Sequence, residues 1–223
     1  MRHIYRAKQP FDLKESKPPR FDLAATCPRS RFTIQTQRGC PLACEFCAAS
    51  RLLGPFREKP AELLRREFAV LSELVPQPTV ELADDNTFAG TRSQRDLLEV
   101  LADARIRYFT ETDWRIGEQP ELLRDLAVSG CLQVLVGIES LVHQYRGLGE
   151  KRAGLPRIMA GLEAIQDHGI AVVGCFVLGA DGETAVSVAA LSKFLLDCEL
   201  ADVQVTLQTP VSRHNPICIK ESA

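Results

Sequence analysis

The sequence predicts an α/β fold in which parallel strands alternate with helices and curl into a partial (β/α)6 barrel. Two patterns predict it: six short segments rich in apolar and β-branched residues, and five segments between them whose apolar residues recur at helical spacing. Crossovers between parallel strands are right-handed, which places the helices outside the curled sheet. With 223 residues, the chain is long enough for one sizeable domain with its own core.

The first half of the barrel is predicted from alternation and from helix-start signals. A strand at 31–36 alternates apolar and polar residues, and a second strand is expected at 79–83. The helix between them begins near Pro60, a residue suited to a first helical turn. Its buried face is predicted from the spacing of Leu64, Phe68, Leu71 and Val75. The next helix opens with a capping box at 93–96 and carries Leu97, Val100 and Leu101.

The second half of the barrel continues the same alternation. Strands are predicted at 108–111, 133–138, 170–178 and 203–208. The helices between them are predicted from Pro120 to Gly130, near 155–168, and around a stripe of Leu191, Phe194, Leu195 and Cys198. The strand at 170–178 is apolar almost throughout, as expected when both of its faces are covered.

Three regions are predicted along the chain: a Pro-rich linker or arm at 1–30, the barrel core at 31–210 and an anomalous tail at 211–223. The tail shows no helical stripe, so the last helix of the barrel is expected to be missing. Without a covering helix, the last strand is expected to expose apolar surface. That exposure would make the domain less stable or dependent on a partner.

Composition limits the expected compartment and partners. A net charge of −2 and a pI near 6.1 give no reason to expect nucleic acid or a membrane surface as a partner. The N-terminus has no signal-peptide apolar region, and the apolar run at 169–180 is too short to span a bilayer. Eight cysteines in 223 residues fall below the density of a disulfide scaffold, so we expect the reducing cytoplasm, where thiolates stay available.

Cys40, Cys44 and Cys47 stand at C-x3-C-x2-C. Thiolates are soft ligands that favour zinc, Cu(I) and iron–sulfur clusters. A structural zinc site takes four protein ligands, and no histidine lies near this segment of the sequence. A [4Fe–4S] cluster held by three local cysteines would leave one iron open to another ligand. The alternatives are a zinc site completed by Cys27, a redox-sensing thiol group and a chance cluster.

This spacing, with the aromatic Phe46 before the last cysteine, resembles the radical S-adenosylmethionine (SAM) superfamily. The resemblance implies a [4Fe–4S] cluster on the three cysteines, with SAM bound at the open iron. It also implies reductive cleavage of SAM to a 5′-deoxyadenosyl radical, which abstracts a hydrogen atom from a substrate. The family's partial (β/α)6 barrel of the TIM type and an electron donor such as flavodoxin or ferredoxin are implied in the same way.

The segments 37–41 and 47–51 are most similar to radical SAM proteins that usually carry an N-terminal cobalamin-binding domain. In those proteins, a Pro-rich segment like 1–30 joins the cobalamin domain to the core. The chain is therefore expected to be without the cobalamin domain and truncated at its C-terminus. Cobalamin is kept as a candidate cofactor, although the sequence contains no segment that is expected to bind it.

Polar residues follow the predicted strands, at the end of the barrel where ligands bind. By the resemblance, Asp84 and Asp85 would hold the SAM amino group; an Asx-turn that starts the next loop is the alternative. Glu139 and Ser140 end the fourth strand, where the family contacts the SAM ribose or carboxylate; a solvated strand end is the alternative. Phe46 would pack near the adenine.

The remaining candidates are less specific. Arg38 and Arg51 flank the cysteines, where they would tune the cluster potential, hold the SAM carboxylate or stay solvated. The other cysteines are predicted to be structural or incidental: Cys27, Cys131, Cys175, Cys198 and Cys218. The sequence thus predicts a radical SAM enzyme core that acts on an unidentified substrate, without an assigned catalytic residue. The alternative is a truncated or partner-dependent fragment that binds a cluster without turnover.

Overall fold

Strands and helices alternate through the chain in the computed structural model, which describes residues 9–26, 31–49, 53–90, 94–143 and 145–208. The strands in these ranges are β1 (Phe32–Ile34), β2 (Gln37–Arg38), β3 (Arg57–Glu58), β4 (Thr79–Leu82), β5 (Arg107–Thr112), β6 (Cys131–Glu139), β7 (Ala171–Leu178) and β8 (Asp202–Leu207). The α-helices are α1 (Phe21–Ala25), α2 (Ala61–Leu74), α3 (Gln94–Asp103), α4 (Pro120–Val128), α5 (Leu155–Asp167) and α6 (Ala185–Asp197). Short 3-10 helices span Leu13–Glu15, Trp114–Glu118 and Gly149–Lys151.

The main sheet confirms the predicted α/β fold with parallel strands. Its order is β1-β4-β5-β6-β7-β8, and every neighbouring pair is parallel. Because β1 and β8 lie at the two edges, the described part of the sheet forms a partial barrel that does not close. The remaining strands, β2 and β3, form a separate antiparallel pair.

The core lies between the sheet and the helices, as the predicted stripes require. On α2, Leu64, Phe68 and Leu71 are buried, and on α5 Leu162 and Ile165 are buried. Alternate residues of the strands pack in the same core as these helices. Examples are Val80, Tyr108, Val134 and Val172. Helix starts also follow sequence signals: Pro120 occupies the first turn of α4, and Thr184 with Ser187 forms a capping box at α6.

Several details differ from the sequence predictions. Helix α2 ends at Leu74, and Val75 caps it in an extended conformation. The β2–β3 pair was not predicted, because strands of two residues carry no readable period. No element was predicted within 1–30, yet α1 packs there, with Phe21 5% exposed and its ring 6.0 Å from the ring of Phe32.

Some predictions concern residues outside the described ranges. They are the predictions for Cys27, Arg51, Ser93, Cys218 and the tail at 211–223. At the β8 edge, the expected exposure of apolar surface is confirmed, since Val205 is 46% and Leu207 75% exposed. No helix follows β8 within the described residues, which end at 208. None of the helices in the described ranges has the length and apolar character needed to cross a membrane.

Candidate active site

A cavity of about 190 Å³ lies where the carboxyl ends of β4, β5 and β6 meet the cysteine loop, residues 39–47. Its wall combines thiols, carboxylates and an ammonium group. The charged and thiol-bearing residues are Cys40, Cys44, Cys47, Asp85, Glu111, Glu139, Lys151 and Cys175. This is the end of a parallel α/β sheet at which ligands bind.

Two larger cavities lie in other parts of the described structure. One of about 880 Å³ lies between α3 and α4 on the outside of the sheet, and no cysteine lines it. Another of about 660 Å³ carries Arg115, Arg152 and Arg157 and shares Asn86 and Thr112 with the cysteine-lined cavity. We take the cysteine-lined cavity as the candidate site, because it is the one that combines metal-ligating thiols with strand ends.

Asp84 fixes the start of the cysteine loop. Its carboxylate, in a residue only 2% exposed, accepts hydrogen bonds from the backbone N–H groups of Thr36 (2.7 Å) and Gln37 (3.0 Å). It also accepts from the hydroxyls of Thr36 (2.5 Å) and Thr87 (3.1 Å). Burial raises the pKa of Asp84, and these hydrogen bonds act in the opposite direction. Asp84 therefore joins the end of β4 to the segment that enters the cysteine loop.

The β2–β3 pair holds the two ends of the segment that contains the cysteines. Just after β3, the N–H of Lys59 donates to the carbonyl of Thr36 at 2.9 Å. The ammonium of Lys59 lies 2.8 Å from both carboxylate oxygens of Glu67, and these side chains are 8% and 0% exposed. This buried pair joins the residue after β3 to α2.

The cysteine loop docks on the segment 145–148. The N–H of Glu45 donates to the carbonyl of Arg146 at 3.0 Å, and the N–H and Nε of Arg146 donate to the Glu45 carboxylate at 2.9 and 2.8 Å. Gly147 has φ 80°, and a Cβ there would overlap the carbonyl of Ala43, so the close approach requires glycine. The Cys44 thiol donates a long hydrogen bond to the carbonyl of Gly147, 3.7 Å away.

Phe46 packs on the same segment. Its ring centroid lies 4.7 Å from that of Tyr145, and Tyr145 contacts the His143 ring at 4.5 Å. Tyr145 is 1% exposed and forms a small apolar cluster with Cys44, Leu148 and Ala180. Phe46 lines the cavity, so the ring of Tyr145 supports an aromatic face that a planar ligand can use.

The three loop thiols differ in burial. Cys44 is buried, and Cys40 and Cys47 are half-buried. Burial raises the pKa of Cys44 to about 11 and also raises that of Cys40, while the positive charge of Lys151 acts against both shifts. Among the described residues, no three His, Cys, Asp or Glu side chains converge as the ligands of a single ion do. A structural zinc site takes four protein ligands around one ion, whereas three cysteines can each bind a different iron of a cluster, so the three thiols of this loop match the ligand set of a cluster with one open iron.

Glu139 reaches the cavity through an unusual backbone conformation. It has φ 71°, a strained value for a residue other than glycine, and the register of β6 on β7 shifts between Gly137 and Glu139. Lys151 Nζ lies 2.5 Å from Glu139 Oε1, and each side chain is 10% exposed. A Cβ at Gly137 would overlap Glu139 Oε1 and lie 2.8 Å from Lys151 Nζ. Backbone strain of this kind is typical of functional sites.

The part of the cavity wall that contains Asp85 and Glu111 is acidic. Burial raises the pKa of Asp85, and burial together with the charge of Asp85 raises that of Glu111. Two buried polar atoms of residues in this wall, Asn86 Oδ1 and Thr112 Oγ1, have no hydrogen-bond partner among the described residues. Buried polar atoms are costly unless they are paired, so these two atoms lower the stability of this part of the fold.

The structure brings most of the predicted site residues together. The three cysteines, Phe46, Asp85 and Glu139 line the cavity, but Asp84 and Ser140 do not. The Ser140 hydroxyl donates to Glu183 at 3.2 Å and accepts from the N–H of His143 at 3.0 Å. Arg38 donates to Gln35 Oε1 at 3.0 and 3.1 Å and is also absent from the cavity wall.

Two residues of the cavity wall were missed by sequence reasoning. Cys175 was predicted to be structural, but it pairs in register with Gly137 and lines the cavity, where burial raises the pKa of its thiol to about 11. No signal in the sequence identifies it, because its place in the wall depends on the register of β6 on β7. Lys151 belongs to no motif in the sequence, and only the contact with Glu139 identifies it.

Comparisons with known proteins identify similar sequences and a similar fold. The sequence profile of the Radical SAM superfamily matches residues 34–195. Over 94% of this chain, a bacteriochlorophyllide d C-12(1)-methyltransferase of Chlorobaculum tepidum is 25% identical. An uncharacterized methyltransferase of Synechocystis sp. is 30% identical over 81% of the chain. The chain spans 48% and 35% of the lengths of these two relatives.

A solved structure shares the fold. The radical S-adenosylmethionine methyltransferase TsrM from Kitasatospora setae, described with cobalamin and a [4Fe–4S] cluster bound, superposes with a TM-score of 0.69 at 17% identity. The match covers 80% of this chain and 34% of the TsrM chain. At this identity, the likeness concerns the fold alone.

Proposed function

Because the chain belongs to the radical SAM superfamily of enzymes, whose cofactors are a [4Fe–4S] cluster and SAM, we propose that it forms a core that reductively cleaves SAM. Cys40, Cys44 and Cys47 would hold the cluster. When bound, the cluster supplies one electron and a coordination position for SAM. The observation that carries this proposal is the cavity at the strand ends, whose wall joins these three thiols to an aromatic ring, carboxylates and an ammonium group.

The other side chains of the cavity have complementary roles in this proposal. Phe46, supported by Tyr145, offers a ring for stacking on the adenine. Glu139 uses one oxygen for Lys151, and its other oxygen is available to the ribose hydroxyls. Asp85 lines the cavity and offers its carboxylate to the SAM ammonium group.

Asp84 and Ser140 have a different role from the one predicted by the resemblance. We assign both to positioning, since neither lines the cavity. Asp84 holds the start of the cysteine loop through three hydrogen bonds, and a fourth comes from Thr87. Ser140 fixes the segment that leads to Tyr145 by accepting from the N–H of His143.

The names of the relatives support methyl transfer to a carbon atom of an organic substrate as the reaction that this core serves. Cobalamin is the candidate methyl carrier, because TsrM is described with cobalamin bound. A low-potential donor such as flavodoxin or ferredoxin would supply the electron. The core domain would span 31–210, preceded by the arm at 1–30 and followed by the tail at 211–223, and would work in the reducing cytoplasm.

The test is an anaerobic assay on the full chain. The protein is reconstituted with iron and sulfide, mixed with SAM and dithionite, and assayed for 5′-deoxyadenosine by chromatography. The proposal expects a cluster and 5′-deoxyadenosine, and it expects both to be lost in Cys44→Ser. Cys198→Ser is the matched control, because Cys198 is also buried but lies at the end of α6, outside the cavity wall.

The possible results separate the alternatives. A cluster without 5′-deoxyadenosine would favour a fragment that needs a partner for turnover. Zinc without acid-labile sulfide would favour a zinc module and contradict the proposal. Undiminished 5′-deoxyadenosine in Cys44→Ser would contradict the assignment of the cluster ligands.

A further inference from the structure

Lys151 is the one cation among the described residues that line the cysteine-lined cavity. The other ionisable groups in that wall are thiols and carboxylates, so each of them can only become more negative by ionising. Lys151 lies at the end of the 3-10 helix Gly149–Lys151, directly after the segment 145–148 on which the cysteine loop docks. The same stretch of chain therefore supports the cysteine loop and delivers a positive charge to its cavity.

The ammonium of Lys151 is held rigidly. It lies 2.5 Å from Glu139 Oε1, and both side chains are 10% exposed. The space for the pair exists because Gly137 has no Cβ. The strained backbone of Glu139 aims its carboxylate at the ammonium.

The backbone of Lys151 is anchored as well. Trp114 Nε1 donates to the carbonyl of Lys151 at 2.9 Å. Trp114 is 1% exposed and packs closely on Gly161, where a Cβ would meet Trp114 atoms at 2.8 and 3.1 Å. The guanidinium carbon of Arg157 lies 5.1 Å from the centre of the Trp114 ring. The position of the charge is thus set by packing over three segments of the chain.

Stability alone does not account for this arrangement. A buried ion pair recovers little more than the cost of removing its charges from water, and apolar residues often replace such a pair without loss. A strained backbone adds a further cost. A fixed charge beside an iron–sulfur centre, by contrast, changes its reduction potential, since added negative charge is stabilised by a nearby cation.

We propose that Lys151 sets the reduction potential of the cluster held by Cys40, Cys44 and Cys47. This inference rests on the proposed function. The ammonium stabilises the reduced cluster, which carries one more electron and one more negative charge than the oxidised cluster. A low-potential one-electron donor supplies that electron, and no bond forms or breaks in this step. Lys151 acts as a positioning residue, and Glu139 keeps its charge in place.

The other lysine and arginine candidates do not fit this role. Arg38 lies near the cysteines in sequence but donates to Gln35 and does not line the cavity. Lys59 forms an equally buried pair with Glu67, but this pair lies under β3, outside the cavity wall. Lys151 is therefore distinguished by its place in the wall and not by burial.

The experiment is a redox titration of the reconstituted full chain without SAM, followed by the electron paramagnetic resonance (EPR) signal of the reduced cluster. Lys151→Met is expected to shift the equilibrium about tenfold toward the oxidised cluster, a lowering of the midpoint potential by about 59 mV for one electron. Lys151→Arg keeps the charge and is expected to stay close to wild type. Lys193→Met, on the exposed side of α6, is the matched control and leaves the potential unchanged.

Glu139→Gln supplies a test of opposite sign. Removing the negative partner is expected to raise the midpoint potential, and Lys151→Met combined with Glu139→Gln is expected to fall between the single variants. If Lys151 and Glu139 had only a structural role, the two substitutions would not shift the midpoint potential in opposite directions. Midpoint potentials in Lys151→Met and Glu139→Gln equal to that of wild type would overturn the inference.

The same experiment separates this inference from the proposed function. If wild type forms no cluster, the proposed function fails before any potential is measured. If wild type forms a cluster and Lys151→Met does not hold one, the midpoint potential of Glu139→Gln tests the inference instead. A raised potential in that variant supports the inference, and an unchanged potential contradicts it.

Discussion

At the residue scale, the geometry of the cavity wall depends on the hydrogen atom that Gly137 has in place of a Cβ. Gly137→Ala would drive a methyl group into Glu139 Oε1 and to 2.8 Å from Lys151 Nζ. The ion pair should be displaced, and the free energy of unfolding should fall by about 1–3 kcal/mol, the usual cost of overpacking. Urea unfolding and the iron content after reconstitution measure the two effects.

Gly154→Ala is the control for this change. A Cβ at Gly154 meets only Pro156 Cδ, at 3.9 Å, and the residue precedes α5 in an ordinary extended conformation. Its unfolding and iron content should match wild type closely. If Gly137→Ala behaved in the same way, the ion pair would not depend on this glycine.

Glu111 gives a pH-dependent prediction. Burial, followed by the charges of Asp85 and Glu81, raises the pKa of Glu111 above its unfolded value. The folded protein therefore binds more protons than the unfolded chain between these two pKa values, and stability falls as pH rises through the folded pKa. Because glutamine does not ionise, Glu111→Gln removes this pH-dependent loss of stability. The melting temperature of the apoprotein should rise by a few degrees at pH 8 and by much less at pH 4.5.

Glu121→Gln serves as the matched control, because Glu121 lies exposed on α4. It should change the melting temperature little at either pH. If Glu111→Gln raised the melting temperature equally at both pH values, ionisation of Glu111 would not destabilise the folded protein.

The sequence identifies the cysteines but not their electrostatic surroundings, for a physical reason. Three thiols within eight residues are fixed together by local chain geometry, so spacing alone reveals Cys40, Cys44 and Cys47. Lys151 and Cys175 reach the same cavity through a bulge at Gly137 and through the register of β6 on β7. Those features depend on packing between distant segments, which one sequence does not display.

At the element scale, the end of β4 provides two neighbouring carboxylates with different tasks. Asp84 is buried and holds the cysteine loop, whereas Asp85 lines the cavity. In Asp84→Asn, the buried N–H and hydroxyl donors no longer meet a charged carboxylate. The free energy of unfolding should therefore fall by about 2–4 kcal/mol. It should also reduce cluster content, which iron and sulfide analysis measures.

Asp85→Asn is the paired variant. It should leave the unfolding free energy close to wild type and keep the cluster, but weaken SAM binding measured by equilibrium dialysis. The reverse pattern, with a stable Asp84→Asn and a cluster-free Asp85→Asn, would contradict the assignment of Asp84 to positioning.

The main strands and helices are predictable because their apolar residues recur at a regular spacing within each segment. Helix α5 shows Ile158, Leu162 and Ile165 at helical spacing, and all three are buried as predicted. The β2–β3 pair depends on backbone pairing between Gln37–Arg38 and Arg57–Glu58, segments without alternation. Its formation follows from the contacts of Asp84 and Lys59, which act across distant positions in the chain.

At the scale of the whole molecule, β8 is an edge strand of the sheet formed by the described residues. Leu207 is 75% exposed on that strand and Val205 is 46% exposed. An edge strand that exposes apolar side chains favours association. Leu207→Lys should therefore reduce the self-associated fraction of this chain in sedimentation velocity without lowering its melting temperature.

Val128→Lys is the control, since Val128 is 82% exposed but lies at the end of α4, away from a sheet edge. It should leave association unchanged. If both variants reduced association equally, net charge would explain the effect better than the edge of β8.

The order of the main strands follows from rules that act on the entire chain. Alternation of strands and helices with right-handed crossovers leads to a consecutive parallel order, and the observed order agrees. How far the sheet curls depends on strand pairing and on the packing of each helix. Patterns in single segments therefore predict the topology of β1 and β4–β8, but not how closely the edges approach.

An EPR spectrum can show whether Cys40, Cys44 and Cys47 hold a cluster with a position open to SAM. The reconstituted full chain is reduced, and its spectrum is recorded with and without SAM. We expect a cluster signal that changes shape when SAM is added, and chemical analysis should find about four irons and four sulfides per chain. A chain that retains zinc without sulfide, or a cluster signal that SAM leaves unchanged, would contradict this expectation.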